Sequence, residues 1–202
     1  MPSPRAARPA APDPMASTLR AVAAIGPFFA LRTDDPQDGR GPADEGYLPV
    51  AELYRRRPAA DSDGGFGNGD GGGDQAPPAL SARVAAVAGR LGASETRIAA
   101  SLVFQGLASR LWSVALGSAA LAGRVPDLAP DRLWWHPERG SPDDLWLPGP
   151  RALPAAGDLA GQLRAVVLGT HLEPLHRATG TVCGISGRLL WGNAGSALAG
   201  VA

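Results

Sequence analysis

From Leu80 onward the apolar positions fall three and four residues apart, the spacing of one face of an α-helix. Val84, Val87 and Leu91 predict a helix that Ser81 caps and Gly92 closes. The next helix is predicted to be capped by Ser94, to hold Glu95 in its first turn, and to end near Gly123 ahead of Pro126. Val103, Leu107, Leu111, Val114 and Leu121 form one stripe on it, while Ile98, Leu102 and Leu116 lie opposite. A helix apolar on two sides belongs at the centre of a fold.

The period then changes to two. Residues 132–136 (RLWWH) and 144–147 (DLWL), joined by residues 137–142, predict a hairpin laid over the helices. Alternation puts Leu133 and Trp135 on one face and Trp134 and His136 on the other. Asp158 opens a further helix through Leu159, Leu163, Val166, Val167, Leu172 and Leu175, with Pro174 predicted to kink it. A last helix starts at Ser186 and presents Leu189, Leu190, Ala194, Leu198 and Val201. Its apolar spacing continues to the final residue, which leaves Leu198 and Val201 uncovered and predicts marginal stability. Ahead of all these, Ser17 or Thr18 is predicted to cap a helix carrying Leu19 and Val22 that stops near Gly26-Pro27. A short helix over 47–57 turns Val50, Leu53 and Tyr54 inward. The expected fold class is mainly α with a small β-hairpin or sheet, an α+β domain.

Composition divides the chain unevenly. Gly and Pro supply 23 of residues 1–78 but only 24 of the remaining 124. Residues 1–14 read as a disordered Pro/Ala/Arg extension, with Met15 as an alternative start. Residues 15–202 form one domain, interrupted at 59–78 by a flexible Gly-rich insert. Gly65 to Gly69 imitate a phosphate loop in composition only, because no Lys-Ser/Thr follows.

Charge and cysteine usage then narrow the function. Nineteen Arg balance nineteen acidic residues and there is no Lys, so nothing favours coating of nucleic acid. Gln105 and Arg110 interrupt the most apolar stretch, so no integral membrane segment is predicted. Residues 19–31 imitate a secretory leader but contain Arg20 and Pro27, and a cytoplasmic location follows. A lone cysteine, Cys183, excludes a disulfide framework and any Cys-x-x-Cys site within the chain. No two of the three histidines stand at metal-ligand spacing, so no metal site is predicted.

Candidate ligand-binding residues are few, and no catalytic residue can be assigned. Arg110 at the edge of the central stripe could hold a carboxylate or a ferric chelate, or serve as a structural ion pair. His171 flanks Pro174, where a kink could open a pocket or leave a surface histidine. Trp191 and Asn193 begin the last helix; the Asn could bond a ligand or satisfy a helix end. Trp112, Trp134, Trp135 and Trp146 could line an aromatic wall or cover the core. Cys183 precedes a helix start, which lowers a thiol pKa, whereas burial would keep it inert.

Gly26 to Ala30 (GPFFA), 98–112 (IAASLVFQGLASRLW), 171–175 (HLEPL) and 189–194 (LLWGNA) occur in order. Together they resemble the FhuF-like ferric-siderophore reductases of actinobacteria, (2Fe-2S)-binding proteins, over about residues 19–202 outside the Gly-rich insert. The resemblance implies a helical FhuF-like domain, a ferric siderophore as substrate, an electron donor, and iron release by one-electron reduction of Fe(III). It also implies a [2Fe-2S] cluster on four Cys after the last helix, as a Cys-Cys pair and a Cys-x-x-Cys. This sequence contains none of them, and Cys183 matches no ligand position. The expectation is a reductase-like chain truncated before its cluster motif, carrying no iron of its own. The alternative is a redox-inactive module that binds a siderophore or a partner.

Overall fold

The structure, a computed structural model, describes residues 14–34, 40–55, 75–155 and 157–201. Helices dominate it: α1 (Pro14–Ala23), α2 (Pro78–Leu91), α3 (Thr96–Ala122), α4 (Leu159–Arg164), α5 (Glu173–Cys183) and α6 (Gly187–Ala199). Strands β1 (Leu48–Pro49), β2 (Trp134–Trp135) and β3 (Leu145–Trp146) form an antiparallel sheet in that order. The architecture is mainly α with a small sheet. The extension over 1–13 and most of the insert, 59–74, lie outside the described residues.

α3 is the axis, and α1, α2, α5 and α6 pack on it. Its covered surface is rich in alanine (Ala99, Ala100, Ala108, Ala115, Ala119), with Phe104, Leu111, Trp112 and Val114 among them. Small side chains let neighbouring helices close in. The approach is tightest at Gly117, where a Cβ would stand 2.9 Å from Val22 Cγ1. The two large-residue stripes read from the sequence are covered unequally: Leu111 and Val114 are buried, but Ile98, Leu102 and Leu121 are about half exposed. By length and composition α3 alone among the described helices could cross a bilayer, yet 61 % of its apolar window is buried inside the protein.

The starts of α1, α2 and α3 depart from the capping prediction, while α6 keeps Ser186 as its cap residue; for α1 and α2 proline gives the reason. α1 begins at Pro14, so the Ser17 and Thr18 hydroxyls sit inside it and donate to the Pro14 carbonyl at 2.7 and 3.1 Å. α2 begins at Pro78, three residues before Ser81. A proline has its φ preset and lacks an N–H that the first turn could not use anyway. α3 takes Glu95 rather than Ser94 as its cap residue, and the Glu95 carboxylate pairs with Arg97 at 2.5 Å. Helix ends agree with the sequence reading: Gly92 and Gly123 both adopt left-handed φ, +60° and +62°.

The segment after Tyr47 is not the helix predicted. It forms β1 and then a 3₁₀ turn over Val50–Leu53, because the backbone N–H groups of Val50 and Ala51 donate to Leu133 and Pro130 at 2.8 and 2.9 Å. Val50 and Leu53 are buried, as the pattern required. The hairpin pairs Trp134 with Trp146 and Trp135 with Leu145. Leu133 and Trp135 face the core, while Trp134 and His136 are half-buried. Arg32 extends the sheet by exchanging backbone bonds with Leu145 and Leu147, at 2.9 and 2.8 Å.

At the C-terminal side Asp158 caps α4, its carboxylate accepting the Gly161 N–H at 2.9 Å. The helix does not break at Pro174. A π-helical stretch over Ala165–Leu172 joins α4 to α5, so the disturbance expected at one residue is spread over a widened turn before it. α6 closes at Ala199, and Leu198 and Val201 are packed against the core instead of being left bare.

Candidate functional site

A cleft of about 260 Å³ lies where α2, α3 and the hairpin meet. Its walls are apolar: Val87 from α2, Val103 and Leu107 from α3, Trp135 and Leu145 from the sheet. Phe28 and Leu102 also line it and are half exposed. Gly106 lies on the α3 wall, where a Cβ would meet nothing within 4 Å. Position 106 therefore opens onto unfilled space.

Two arginines and one carboxylate give the cleft its polarity. Arg110 is 2 % exposed. Its Nη1 donates to the Pro27 and Phe28 carbonyls, both at 2.6 Å, and its Nη2 to Ala30, to Pro142 at 3.3 Å and to Asp144 Oδ1 at 2.9 Å. Burial works against its charge and Asp144 supports it. Arg110 thus clamps two irregular segments, 27–30 and 142–144, onto α3. Arg83 differs. It is half-buried in the cleft, its Nη1 donates to the Pro137 carbonyl at 2.5 Å, and its guanidinium lies 5.9 Å from the centre of a Trp135 ring. Among the described residues it has no carboxylate within ion-pair range. Burial and the repulsion of Arg90 lower its pKa, and the Asp144 charge in the same cleft works against them. Arg83, Arg110 and Asp144 leave the cleft with one net positive charge.

The other candidates stand elsewhere. His171 is fully buried in the π turn. Its Nε2 meets the Leu128 carbonyl at 2.7 Å, and a carbonyl can only accept, so the proton sits on Nε2. Nδ1 then accepts the Tyr54 hydroxyl proton at 2.8 Å. Both nitrogens are occupied, and burial pushes the ring pKa down to about 4, against the raising effect of the Leu128 bond. His171 joins three parts of the core and does not reach the cleft. Trp191 is 40 % exposed and stacks on His176, ring centres 5.0 Å apart. Asn193 donates to Ser101 Oγ at 2.6 Å, tying α6 to α3. Of the four candidates, only Arg110 lines the cleft.

Arg83 was not legible as a site residue. It shares a helix face with Val87 four positions on, so a charged group inside an apolar stripe was the available signal. Trp135 was visible as part of an aromatic wall, but Trp146 is committed to Arg32, whose guanidinium lies 3.6 Å from its ring centre.

The residues present do not fit a [2Fe-2S] cluster. Four thiolates hold such a centre, and this chain has one cysteine. Cys183 is half-buried, and desolvation raises its pKa, the opposite of what a thiolate ligand needs. Among the described residues no three His, Cys, Asp or Glu side chains converge. Set against known protein-family models, characterised proteins and solved structures, the chain matches none.

Proposed function

We propose that this chain is a cytoplasmic ligand-binding module of the FhuF-like ferric-siderophore reductase kind, its cleft receiving one oxygen-rich arm of the chelate. The observation that carries this reading is an apolar cleft holding a half-buried guanidinium, Arg83, with no carboxylate within ion-pair range among the described residues. Siderophore arms present acceptor oxygens on an aliphatic body, which suits such a lining. At about 260 Å³ the cleft is smaller than the ~300–1,000 Å³ of sites that engulf a drug-sized ligand, so an arm enters and the iron stays outside. Reduction of Fe(III) would release the metal, since hard oxygens hold Fe(II) less tightly. The electron must come from a donor other than these side chains.

The poor fit to a cluster favours a second reading, a redox-inactive module that binds a siderophore or a partner without reducing it. Titration with ferric hydroxamates, followed by tryptophan fluorescence, tests the binding. Saturable quenching at micromolar ligand is expected, because Trp135 lies in the wall. Absence of quenching in a protein that melts cooperatively would overturn both siderophore readings. Adding a chemical electron donor and an Fe(II)-specific chelator then separates reductase from passive module.

A further inference from the structure

We infer that the cleft between α2, α3 and the hairpin is a site for a small carboxylate with an apolar body, anchored by Arg83 and independent of iron. The inference rests on reading the cleft as a ligand site, but not on a siderophore as its ligand.

Three features of the cleft point the same way. The first is charge. Two guanidiniums and one carboxylate leave an excess positive charge, and Asp144 is already held by Arg110 at 2.9 Å. Among the described residues Arg83 has no carboxylate within ion-pair range, only the longer-range pull of Asp144, and it is half-buried, where a charge without a direct partner is costly. A ligand carboxylate would supply the missing partner and could accept two parallel N–H bonds from the guanidinium fork.

The second feature is the balance of donors and acceptors. Among the described residues Asp144 is the only carboxylate on the wall, and the indole N–H of Trp135 and the Nε–H of Arg110 find no acceptor. These two groups are sealed from solvent, so a ligand need not touch them, but their dipoles make the wall favour negative charge. A cationic or donor-rich ligand would meet the wrong polarity.

The third feature is shape. Val87, Val103, Leu107 and Leu145 give the cleft apolar walls, and the volume suits a short alkyl or single-ring body. Arg83 sits across the Trp135 ring and is tied to the Pro137 carbonyl, which fixes the direction from which its remaining N–H groups can be approached. A head group at Arg83 with its tail along α3 places charge on charge and hydrocarbon on hydrocarbon.

Calorimetric titration of the full chain with 3-phenylpropionate and with its primary amide tests this. The two share a body and differ in charge. The carboxylate is expected to bind at least about tenfold more tightly, the scale of one charge-assisted hydrogen bond. Arg83→Gln should weaken the carboxylate about tenfold and leave the amide within about twofold. Gly106→Leu, which projects a side chain into the open space at position 106, should abolish binding of both while leaving the fold intact. Equal affinity for acid and amide, an unchanged ratio in Arg83→Gln, or no binding of either by folded protein at about 1 mM would overturn the inference. Binding of the acid without any response to ferric hydroxamates overturns the siderophore readings and leaves this one standing. The reverse result overturns this inference and spares those readings.

Discussion

The two flanks of α3 are held together by different chemistry. On the flank facing α1 and the sheet, much of the covering chain is irregular, and arginines do the fastening: Arg110 bonds the carbonyls of Pro27, Phe28 and Ala30, while Arg32 pairs with Asp34 and Glu45 at 2.7 and 2.5 Å. On the flank facing α6, both partners are helices, and Ala194, Ala197 and Leu190 pack on it with Asn193 to Ser101 as a cross-link. Helices satisfy their own backbone groups, whereas loops leave carbonyls that something must pair once they are buried. A guanidinium brings five donors to that task. The same irregular packing leaves the cleft, so the flank that needs charged fasteners is also the one that can hold a ligand.

Removing the principal fastener should have the largest effect. Arg110→Ala leaves Asp144 and several inward carbonyls unpaired, and a loss of about 3–5 kcal/mol is expected in urea unfolding. Arg110→Lys should recover only part of it, since one ammonium cannot span segments 27–30 and 142–144 together. Recovery of full stability by Lys would show that charge alone, and not the fork, holds this flank.

Acid should act elsewhere, through His171, which ties the π turn to the irregular segments carrying Tyr54 and Leu128. The buried ring titrates at about 4, against about 6.5 in the unfolded chain, so between these values the unfolded state binds the extra proton. Its contribution is present above pH 6.5 and is lost as pH falls to 4, about 3 kcal/mol in all. The carboxylates held low by arginines, Asp34, Glu45 and Asp127, lose their stabilisation only below about pH 4.5, so the slope between 6.5 and 4.5 belongs to the histidine. His171→Gln should flatten unfolding free energy between pH 6.5 and 4.5; an unchanged slope would assign it to another group.

Glycine-to-alanine exchanges compare packing directly. Gly117→Ala sets a methyl 2.9 Å from Val22 and 3.2 Å from Phe29, for which a loss of about 1–3 kcal/mol is expected. Gly192→Ala, on the open face of α6 with nothing within 4 Å, should gain about 0.5–1 kcal/mol from helix propensity. Opposite signs for one chemical change would show that close approach, and not glycine content, distinguishes the two positions. Asn193→Ala, which removes one cross-link, should cost about 1 kcal/mol in thermal unfolding.

Much of the fold is written locally. The spacing of Val84, Leu111, Val114, Leu172, Leu190 and Ala194 marks their helices, Gly92 and Gly123 mark the ends, and the alternation of Leu133 and Trp135 marks the hairpin. Each is a property of a few neighbouring residues, set by the periods 3.6 and 2 and by the freedom of glycine at positive φ. The candidate site was less legible. His171 looked available beside Pro174, but Leu128 and Tyr54, far away in sequence, occupy both of its nitrogens.

The sequence by itself determined the class, a helical protein built on one central alanine-rich helix, because hydrophobic spacing is a local quantity. Tertiary structure alone decided that residues 48–49 become a strand, since their neighbours Val50 and Ala51 bond to a segment some eighty residues on. It also decided that Arg110 is consumed by backbone carbonyls and Asp144, while Arg83 meets the Pro137 carbonyl and, among the described residues, no carboxylate within ion-pair range. Whether a charge is paired depends on which distant loops reach it, and no local pattern contains that distance.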